Sequence, residues 1–317
     1  MSRIPAPILA LRRRVLGRLW PGSQQLGFDP SDSVASNKAA ERRFEVRQKE
    51  HPLGTVGRSR LILRIIENAF PTERLSSEYF RNMDVLLQTK PKRAAPGKVM
   101  LGIGSGRSGS TSLAALLGTV DGSCCTHENP PVIDWTPNQA QIQFHIRRFK
   151  ILAEYFSLVA DVSHWWINAL DVFFEHFPES RVVGLFRDVD ACTRSFMNVK
   201  GSGRGSLNHW APHGNGIWAA TAWDRAYPTY PVPDCAKKEP DRAKCEMIAR
   251  YVQDYNSQLE QRAARYPARL VLAPSESLSE PAIQQMILGL AGAPGKPSKL
   301  RLNMRNVADG EAEEFIF

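Results

Sequence analysis

The stretch KVMLGIGSGRSGSTSLAALL, residues 98–117, decides the fold class of this chain. An apolar run of strand length leads into a turn rich in glycine and serine, and a helical pattern follows at once. In such an arrangement the main-chain N–H groups of the turn and the positive end of the helix converge on one point, where an anion can bind. The stretch therefore predicts a phosphate-binding loop in an α/β domain, with an ordinary turn as the weaker alternative.

The residues inside this loop differ from those of ATP- and GTP-binding loops. Those loops read GxxxxGK[ST], with a lysine directly after the last glycine and a hydroxyl residue that holds magnesium. The frame from Gly104 to Gly109 has the same spacing, but Ser110 occupies the lysine position and the basic residue is Arg107. The candidate anion-binding residues of this loop form a continuous run: Arg107, Ser108, Gly109, Ser110, Thr111 and Ser112.

A second candidate motif follows another predicted strand. Residues 181–185 read RVVGL, an apolar run typical of a buried parallel strand, and Arg187 comes just after it. Ser195 lies in the helical pattern that follows. Because ligands of open α/β sheets collect at the carboxyl ends of the strands, we expect Arg187 to face the same crevice as the loop. The alternative is a surface pair of Arg187 with a neighbouring aspartate, Asp188 or Asp190.

Two candidate bases follow a short predicted strand that ends near Thr126. They are His127 and Glu128, in the segment SCCTHEN of residues 123–129. A carboxylate or an imidazole within hydrogen-bond reach of a hydroxyl group can accept its proton as that hydroxyl attacks. The structural alternative for Glu128 is a carboxylate that caps a helix.

Together these motifs resemble those of the sulfotransferases that use 3′-phosphoadenosine 5′-phosphosulfate (PAPS). The run from Arg107 to Thr111 resembles their 5′-phosphosulfate loop, and Arg187 with Ser195 resembles the motif that grips the 3′-phosphate. Glu128 resembles the base of the tyrosylprotein and carbohydrate sulfotransferases. The resemblance covers about residues 96–293, through the order of elements and three local motifs rather than through close identity to one protein.

The resemblance implies a P-loop-type α/β fold, in which a central parallel sheet is flanked by helices on both faces. It also implies an enzyme that transfers a sulfuryl group from PAPS to a hydroxyl or amine acceptor without a metal. Glu128 would be the base, with His127 as the competing base, and Arg107 would stabilise the charge on the leaving phosphate. Among acceptors, a carbohydrate or glycolipid is favoured over a small phenol or a peptide tyrosine.

One position departs from the family pattern. Many sulfotransferases carry a catalytic lysine about one βα unit before the strand-ending arginine, and the corresponding residue here is Val162. Either Arg107 alone serves the bridging oxygen, or a basic residue such as His164, Lys200 or Arg204 substitutes. Two alternatives to a sulfotransferase stay open: an NTP-dependent kinase-like enzyme, and an inactive member of the fold that binds nucleotide or glycan.

The rest of the chain predicts how the domain is organised. We expect residues 96–317 to form the sulfotransferase-like domain, and residues 1–95 to form a basic extension with a linker and docking helices. An aromatic-rich loop, 200–233, is expected to contact the acceptor or to pack onto the domain. Periodicity predicts further helices at 61–70, 77–88, 142–156, 167–177, 245–266 and 280–290, and a strand at 269–272.

The net charge of +9 and the pI near 9.5 suit a protein that binds anions. The basic residues are dispersed and no nucleic-acid-binding motif is present, so we expect an anionic nucleotide rather than a nucleic acid as partner. Residues 1–20 are basic and amphipathic, a pattern that predicts either a solvated tail or a segment in peripheral contact with an anionic membrane. Five cysteines without a CxxC pair favour reduced thiols, and we therefore expect a cytoplasmic location.

Overall fold

The computed structural model describes residues 73–129, 131–200, 224–231 and 233–292. Its centre is a sheet of five strands: β1 (Lys98–Gly104), β2 (Ser123–His127), β3 (Leu158–Val162), β4 (Arg181–Phe186) and β5 (Leu270–Pro274). The strands lie in the order β2–β3–β1–β4–β5, and every pair is parallel. Their carboxyl ends therefore meet at one edge of the sheet, which confirms the predicted α/β class with a parallel sheet.

Helices cover both faces of this sheet, because the strands are apolar on both sides. On one face Met100 and Val183 share a core with Leu113, and on the other Leu101 shares a core with Phe149. The helices are α1 (Glu73–Leu87), α2 (Ser110–Leu117), α3 (Gln139–Ala153), α4 (Leu170–His176), α5 (Val189–Lys200), α6 (Pro240–Arg265) and α7 (Pro281–Ala291). Short 3-10 turns lie at His164–Asn168, Asp224–Ala226, Asp234–Lys237 and Ser275–Ser279.

The structure differs from the predicted elements at three places. β3 was not among the predicted strands, because Asp161 interrupts the apolar character of its sequence LVADV. The helix predicted at 167–177 is instead a 3-10 turn, His164–Asn168, followed by α4. The long tyrosine-bearing helix begins at Pro240 rather than at Cys245, since proline is well tolerated in the first turn of a helix.

Helix α1 corresponds to the helix predicted at residues 77–88, and it packs on the sheet-bearing part of the chain. The rings of Tyr79 and Phe80 lie 4.8 and 5.0 Å from the ring of Phe144 in α3, measured between centroids. The other predicted docking helix, 61–70, lies outside the described residues. Within the described ranges, no helix is both long enough and apolar enough to cross a membrane.

Candidate active site

The loop between β1 and α2 turns through three residues with left-handed backbone conformation. The φ angles of Gly106, Arg107 and Gly109 are 83°, 53° and 85°. Glycine adopts these angles freely, and a Cβ on Gly109 would lie only 2.9 Å from Cδ1 of Leu278. Arg107 is not a glycine, and the left-handed region costs such a residue roughly 1–2 kcal/mol. Strain of this kind is concentrated at functional sites.

Two hydroxyl groups from distant elements hold the main chain of this loop. Tyr251 of α6 is fully buried, and its hydroxyl donates to the carbonyl oxygen of Ser105 at 2.8 Å. The hydroxyl of Ser275, directly after β5, donates to the carbonyl oxygen of Ser108 at 2.6 Å. These anchors position the N–H groups of the loop before a ligand arrives, which is the preorganisation that charge stabilisation needs.

A buried thiol adds a third anchor. Cys192 of α5 donates from Sγ to the carbonyl oxygen of Gly106 at 3.3 Å. Burial raises the pKa of the Cys192 thiol to about 11. Its effect outweighs those of the hydrogen bond from Ser105 and of the nearby positive charges, which lower the pKa. The thiol therefore stays protonated near neutral pH and acts as a donor to the loop.

The two arginines predicted to bind phosphate meet at this loop. Arg187, directly after β4, donates from Nη1 to the carbonyl oxygen of Arg107 at 2.7 Å. Arg107 in turn donates from Nε to Oγ of Ser195 in α5 at 3.1 Å. Residues from three separate elements thus form one connected polar group at the carboxyl edge of the sheet.

A carboxylate also approaches Arg187 at this edge. Oε1 of Glu276 lies 3.6 Å from Nε of Arg187, and both side chains are partly exposed. The sequence left open a surface pair of Arg187 with Asp188 or Asp190, and for Asp188 the structure gives another contact. Its carboxylate accepts a hydrogen bond from the main-chain N–H of Ala191 at 2.8 Å, within the first turn of α5.

The remaining loop residues offer different atoms to a ligand. The side chain of Ser108 is fully buried and its hydroxyl lies against Gly104 at the end of β1, so only its main chain is available. Ser112 is also buried, within the first turn of α2. Residues 109–111 stand where this helix begins, and the first N–H groups of a helix have no carbonyl partner within it.

His127, the last residue of β2, contacts the start of α2. Its Nε2 lies 2.9 Å from Oγ of Ser110. The strand register explains this contact, because His127 pairs with Val162 and Val162 pairs with Gly102. Paired residues of a parallel sheet point to the same face, and Val162 shares its core with Leu113 of α2. His127 therefore faces the loop between β1 and α2, a contact that its position in the sequence did not indicate.

Glu128 follows β2 and has a φ angle of 48°, so it too is a non-glycine residue in the left-handed region. Its N–H donates to the carbonyl oxygen of Val162 at 3.0 Å, and its Oε1 lies 3.5 Å from Nδ1 of His164. The ring of His164 is fully buried and stacks on Tyr227, with centroids 4.3 Å apart. The carboxylate of Glu128, whose side chain remains 26% exposed, thus lies beside a buried histidine.

A buried carboxylate, which the sequence analysis missed, ties the ends of β2 and β3 together. Asp161 accepts hydrogen bonds from the hydroxyls of Thr126 and Ser163, both at 2.6 Å, and from the indole N–H of Trp166 at 3.0 Å. Nη2 of Arg148 in α3 lies 3.8 Å from its Oδ1, and both side chains are buried. A charged residue within an apolar strand was the available signal, since such residues are rarely buried without a partner.

The position that corresponds to the catalytic lysine of sulfotransferases lies within the apolar core. Val162 is fully buried and packs on the α2 face of the sheet. His164 was one of the predicted substitutes, but its complete burial favours a role in orienting Glu128 over contact with a ligand. The side chain of Lys200 and the whole of Arg204, the other predicted substitutes, lie outside the described part of the chain.

The aromatic-rich loop is described only near its end. Tyr227 is buried against His164, and the hydroxyl of Tyr230 donates to Asp254 of α6 at 2.8 Å. These two tyrosines pack onto the domain, which is the structural alternative that the sequence left open. The other predicted contacts of this loop lie outside the described residues: His209, Trp210, Trp218 and Trp223.

Comparison with known proteins gives no relative from which the role of this site could be transferred. No protein-family model matches this chain, and no curated protein matches it either. The likeness to sulfotransferases is therefore a resemblance of motifs. It depends on the loop after β1, on Arg187 with Ser195, and on Glu128.

Proposed function

We propose that this protein is a PAPS-dependent sulfotransferase, which transfers a sulfuryl group to a hydroxyl or amine acceptor. The observation that carries the proposal is the connected group of Arg107, Arg187 and Ser195 at the loop between β1 and α2. Two guanidinium groups at one loop suit a ligand with two separate anionic groups, because each planar fork can donate parallel hydrogen bonds to an oxyanion. PAPS is such a ligand, with a 3′-phosphate and a 5′-phosphosulfate.

The shape of the loop supports this assignment. A Cβ on Gly106 would lie 3.1 Å from Phe196, and one on Gly109 would lie 2.9 Å from Leu278, so glycine at both positions lets the loop pack closely against these side chains in its left-handed conformation. The start of α2 adds N–H groups and the positive end of its dipole. The proposal thus includes a P-loop-type fold, in which the loop after the central strand binds phosphate.

The donors divide between the two anionic groups of the ligand. We assign the 5′-phosphosulfate to the side chain of Arg107 and to the main-chain N–H groups of residues 108–111. We assign the 3′-phosphate to Arg187 and Ser195, which follow β4 and lie on α5. No metal ion is required in this assignment, because arginine and helix-end N–H groups supply the positive charge.

The reaction needs positioning and charge stabilisation more than covalent chemistry from the protein. When bound, PAPS supplies an activated sulfuryl group whose leaving group is a phosphate. Glu128 takes the proton of the acceptor hydroxyl, and Arg107 stabilises the charge on the leaving oxygen. His127 is the competing base, and we favour Glu128 because its carboxylate is partly exposed and lies 3.5 Å from the ring of His164.

We extend the proposal to the acceptor and the compartment. A carbohydrate or glycolipid is the favoured acceptor, and residues 1–20 are the candidate for a peripheral contact with an anionic membrane. The five cysteines are all free thiols, which suits a reducing compartment such as the cytoplasm.

The experiment that tests the proposed function is a calorimetric titration with 3′-phosphoadenosine 5′-phosphate (PAP), the desulfated product, and separately with ATP plus magnesium. We expect PAP to bind and ATP with magnesium to give no response. Arg187→Ala should weaken PAP binding strongly, because the charge-assisted hydrogen bonds to the 3′-phosphate are lost. The matched control is Arg181→Ala, which alters the arginine at the other end of β4 and should leave PAP binding intact.

Each outcome separates the open interpretations. Preference for ATP with magnesium would overturn the proposal in favour of a kinase-like enzyme. PAP binding without turnover of PAPS on any of a panel of hydroxyl acceptors would favour the inactive, nucleotide-binding member of the fold.

A further inference from the structure

We infer that His127 takes the place of the catalytic lysine of the family, and that it acts on the leaving 5′-phosphate through the hydroxyl of Ser110. The inference rests on the proposed function. It assigns His127 a role on the donor side of the reaction, in place of the role of competing base.

The strand register places His127 beside the position of the missing lysine. His127 and Val162 are register partners at the carboxyl ends of β2 and β3. Neighbouring strands lie about 4.8 Å apart, and paired side chains of a parallel sheet point to the same face. Val162 is fully buried in the core beneath α2, whereas His127 is half-buried at the carboxyl end of β2. The imidazole therefore stands one strand away from the valine, on the same face of the sheet and at its carboxyl end.

The contact with Ser110 shows where the imidazole is directed. Nε2 of His127 lies 2.9 Å from Oγ of Ser110, the first residue of α2. Ser110 also occupies the position that the lysine holds in ATP-binding loops. When Nε2 carries a hydrogen it donates to Oγ, and the hydroxyl hydrogen of Ser110 can then donate to an oxyanion at the helix start. Such a chain polarises the second hydrogen bond, most strongly when the imidazole is charged.

Arg107 and His127 approach the leaving phosphate from different sides, and of the two it is His127 that lies at Ser110. Arg107 donates from Nε to Ser195, on the side of the loop that faces α5. Glu128 lies within 3.5 Å of His164, so its carboxylate approaches a different histidine. His127, the last residue of β2, therefore acts on the leaving phosphate. Glu128, the next residue, acts on the acceptor.

The transfer step balances with these groups. The bond between sulfur and the 5′-phosphate oxygen breaks as a bond forms between sulfur and the acceptor oxygen. The electron pair of the broken bond stays on the phosphate oxygen, and the acceptor proton passes to Glu128. Donation from Ser110, polarised by His127, stabilises the negative charge that grows on the phosphate.

The test compares two nucleotides that differ only in the 5′-phosphate. PAP carries the 5′-phosphate, and adenosine 3′-monophosphate lacks it. His127→Phe keeps a planar ring and removes both ring nitrogens. We expect the calorimetric affinity of this variant for PAP to fall about tenfold, the loss that follows from one charge-assisted hydrogen bond. Its affinity for adenosine 3′-monophosphate should not change.

Further variants sharpen the comparison. His127→Lys restores a cationic donor and should recover most of the affinity for PAP. His176→Phe is the matched control, because His176 is the last residue of α4 and precedes the amino-terminal end of β4. This variant should leave both affinities unchanged. Should His127→Phe fail to fold, His127→Leu carries the same comparison with a side chain that suits a strand.

The failures of the two proposals are distinguishable. Unchanged PAP affinity in His127→Phe, with PAP binding by the wild-type chain intact, would overturn the role of His127 and leave the proposed function standing. Equal losses for both nucleotides would also overturn it, because they would indicate a general disturbance of the loop. Absence of PAP binding by the wild-type chain would overturn both proposals.

Discussion

Arg187 donates from Nη1 to the main-chain oxygen of Arg107 at 2.7 Å, so the residue that follows β4 supports the loop that follows β1. This hydrogen bond uses one of the five donors of the guanidinium group. The remaining donors can bind a phosphate while the loop stays supported. One side chain therefore combines a structural role with a proposed ligand-binding role, which a lysine ammonium cannot reproduce because it lacks the planar fork.

We predict that Arg187→Lys recovers only part of the PAP affinity that Arg187→Ala loses. The alanine variant should lose about 2–4 kcal/mol of binding free energy, because charge-assisted and bidentate hydrogen bonds to the 3′-phosphate disappear. Adenosine 5′-monophosphate, which lacks the 3′-phosphate, should bind nearly as well to all three chains in calorimetric titrations. Equal losses for both nucleotides would remove Arg187 from the 3′-phosphate site.

Glu276 places a negative charge beside the proposed 3′-phosphate site. Its Oε1 lies 3.6 Å from Nε of Arg187, on the partly exposed side of that arginine. We predict that Glu276→Gln tightens PAP binding by about two- to fivefold at low salt, because exposed ion pairs are worth about 0.2–1 kcal/mol. The gain should shrink in high salt. Weaker binding in the glutamine variant would show instead that Glu276 positions Arg187 for the ligand.

Glu128→Gln should separate nucleotide binding from turnover. The amide keeps the shape of the side chain but cannot accept a proton, so we expect PAP to bind normally and the rate of sulfuryl transfer to fall by at least about 10²-fold. Calorimetry with PAP and an assay of PAP release from PAPS measure the two effects. Full activity in the glutamine variant would transfer the base role to His127 or to another residue.

The buried pair of Asp161 and Arg148 should be costly to break on one side only. We predict that Asp161→Asn lowers the free energy of unfolding by about 3–5 kcal/mol, because it leaves the arginine charge buried without its partner. Adding Arg148→Met to the same chain should recover much of this loss. Urea unfolding measures both variants. The exposed pair of Lys92 and Glu154 is the matched control, and Lys92→Ala should change the free energy of unfolding far less, because exposed ion pairs contribute little.

His145 should make the folded state sensitive to acid. Burial and then the charge of Arg148 lower the pKa of His145 from 6.5 to about 3, while its Nε2 lies 2.6 Å from the carbonyl oxygen of Pro131. Between these two pKa values the unfolded chain binds a proton that the folded chain does not. The free energy of unfolding therefore falls as the pH falls from about 6.5 to about 3.

His145→Gln tests this dependence, because glutamine keeps a donor for the carbonyl oxygen and does not titrate. We predict that urea unfolding of the variant shows a shallower loss of stability with falling pH than the wild-type chain. Parallel curves for the two chains would contradict the prediction.

Much of the α/β architecture was predictable from local sequence patterns. The apolar runs of β1 and β4 and the glycine-rich turn after β1 are each short local patterns, so their periodicity and turn chemistry are readable. β3 was missed because Asp161 makes its sequence appear less apolar than its position requires. The strand order β2–β3–β1–β4–β5 also depends on pairings between segments that no local pattern specifies.

By itself, the sequence determined the phosphate-loop pattern, the strand-ending Arg187 and the pair of candidate bases, because each depends on residue types at short spacing. Only the tertiary structure decided which of these residues meet. Parallel register placed His127 beside Val162 and within reach of Ser110, and packing placed Arg187 against the loop of Arg107. Such contacts join segments far apart in the chain, and side-chain packing across the sheet, rather than local propensity, selects them.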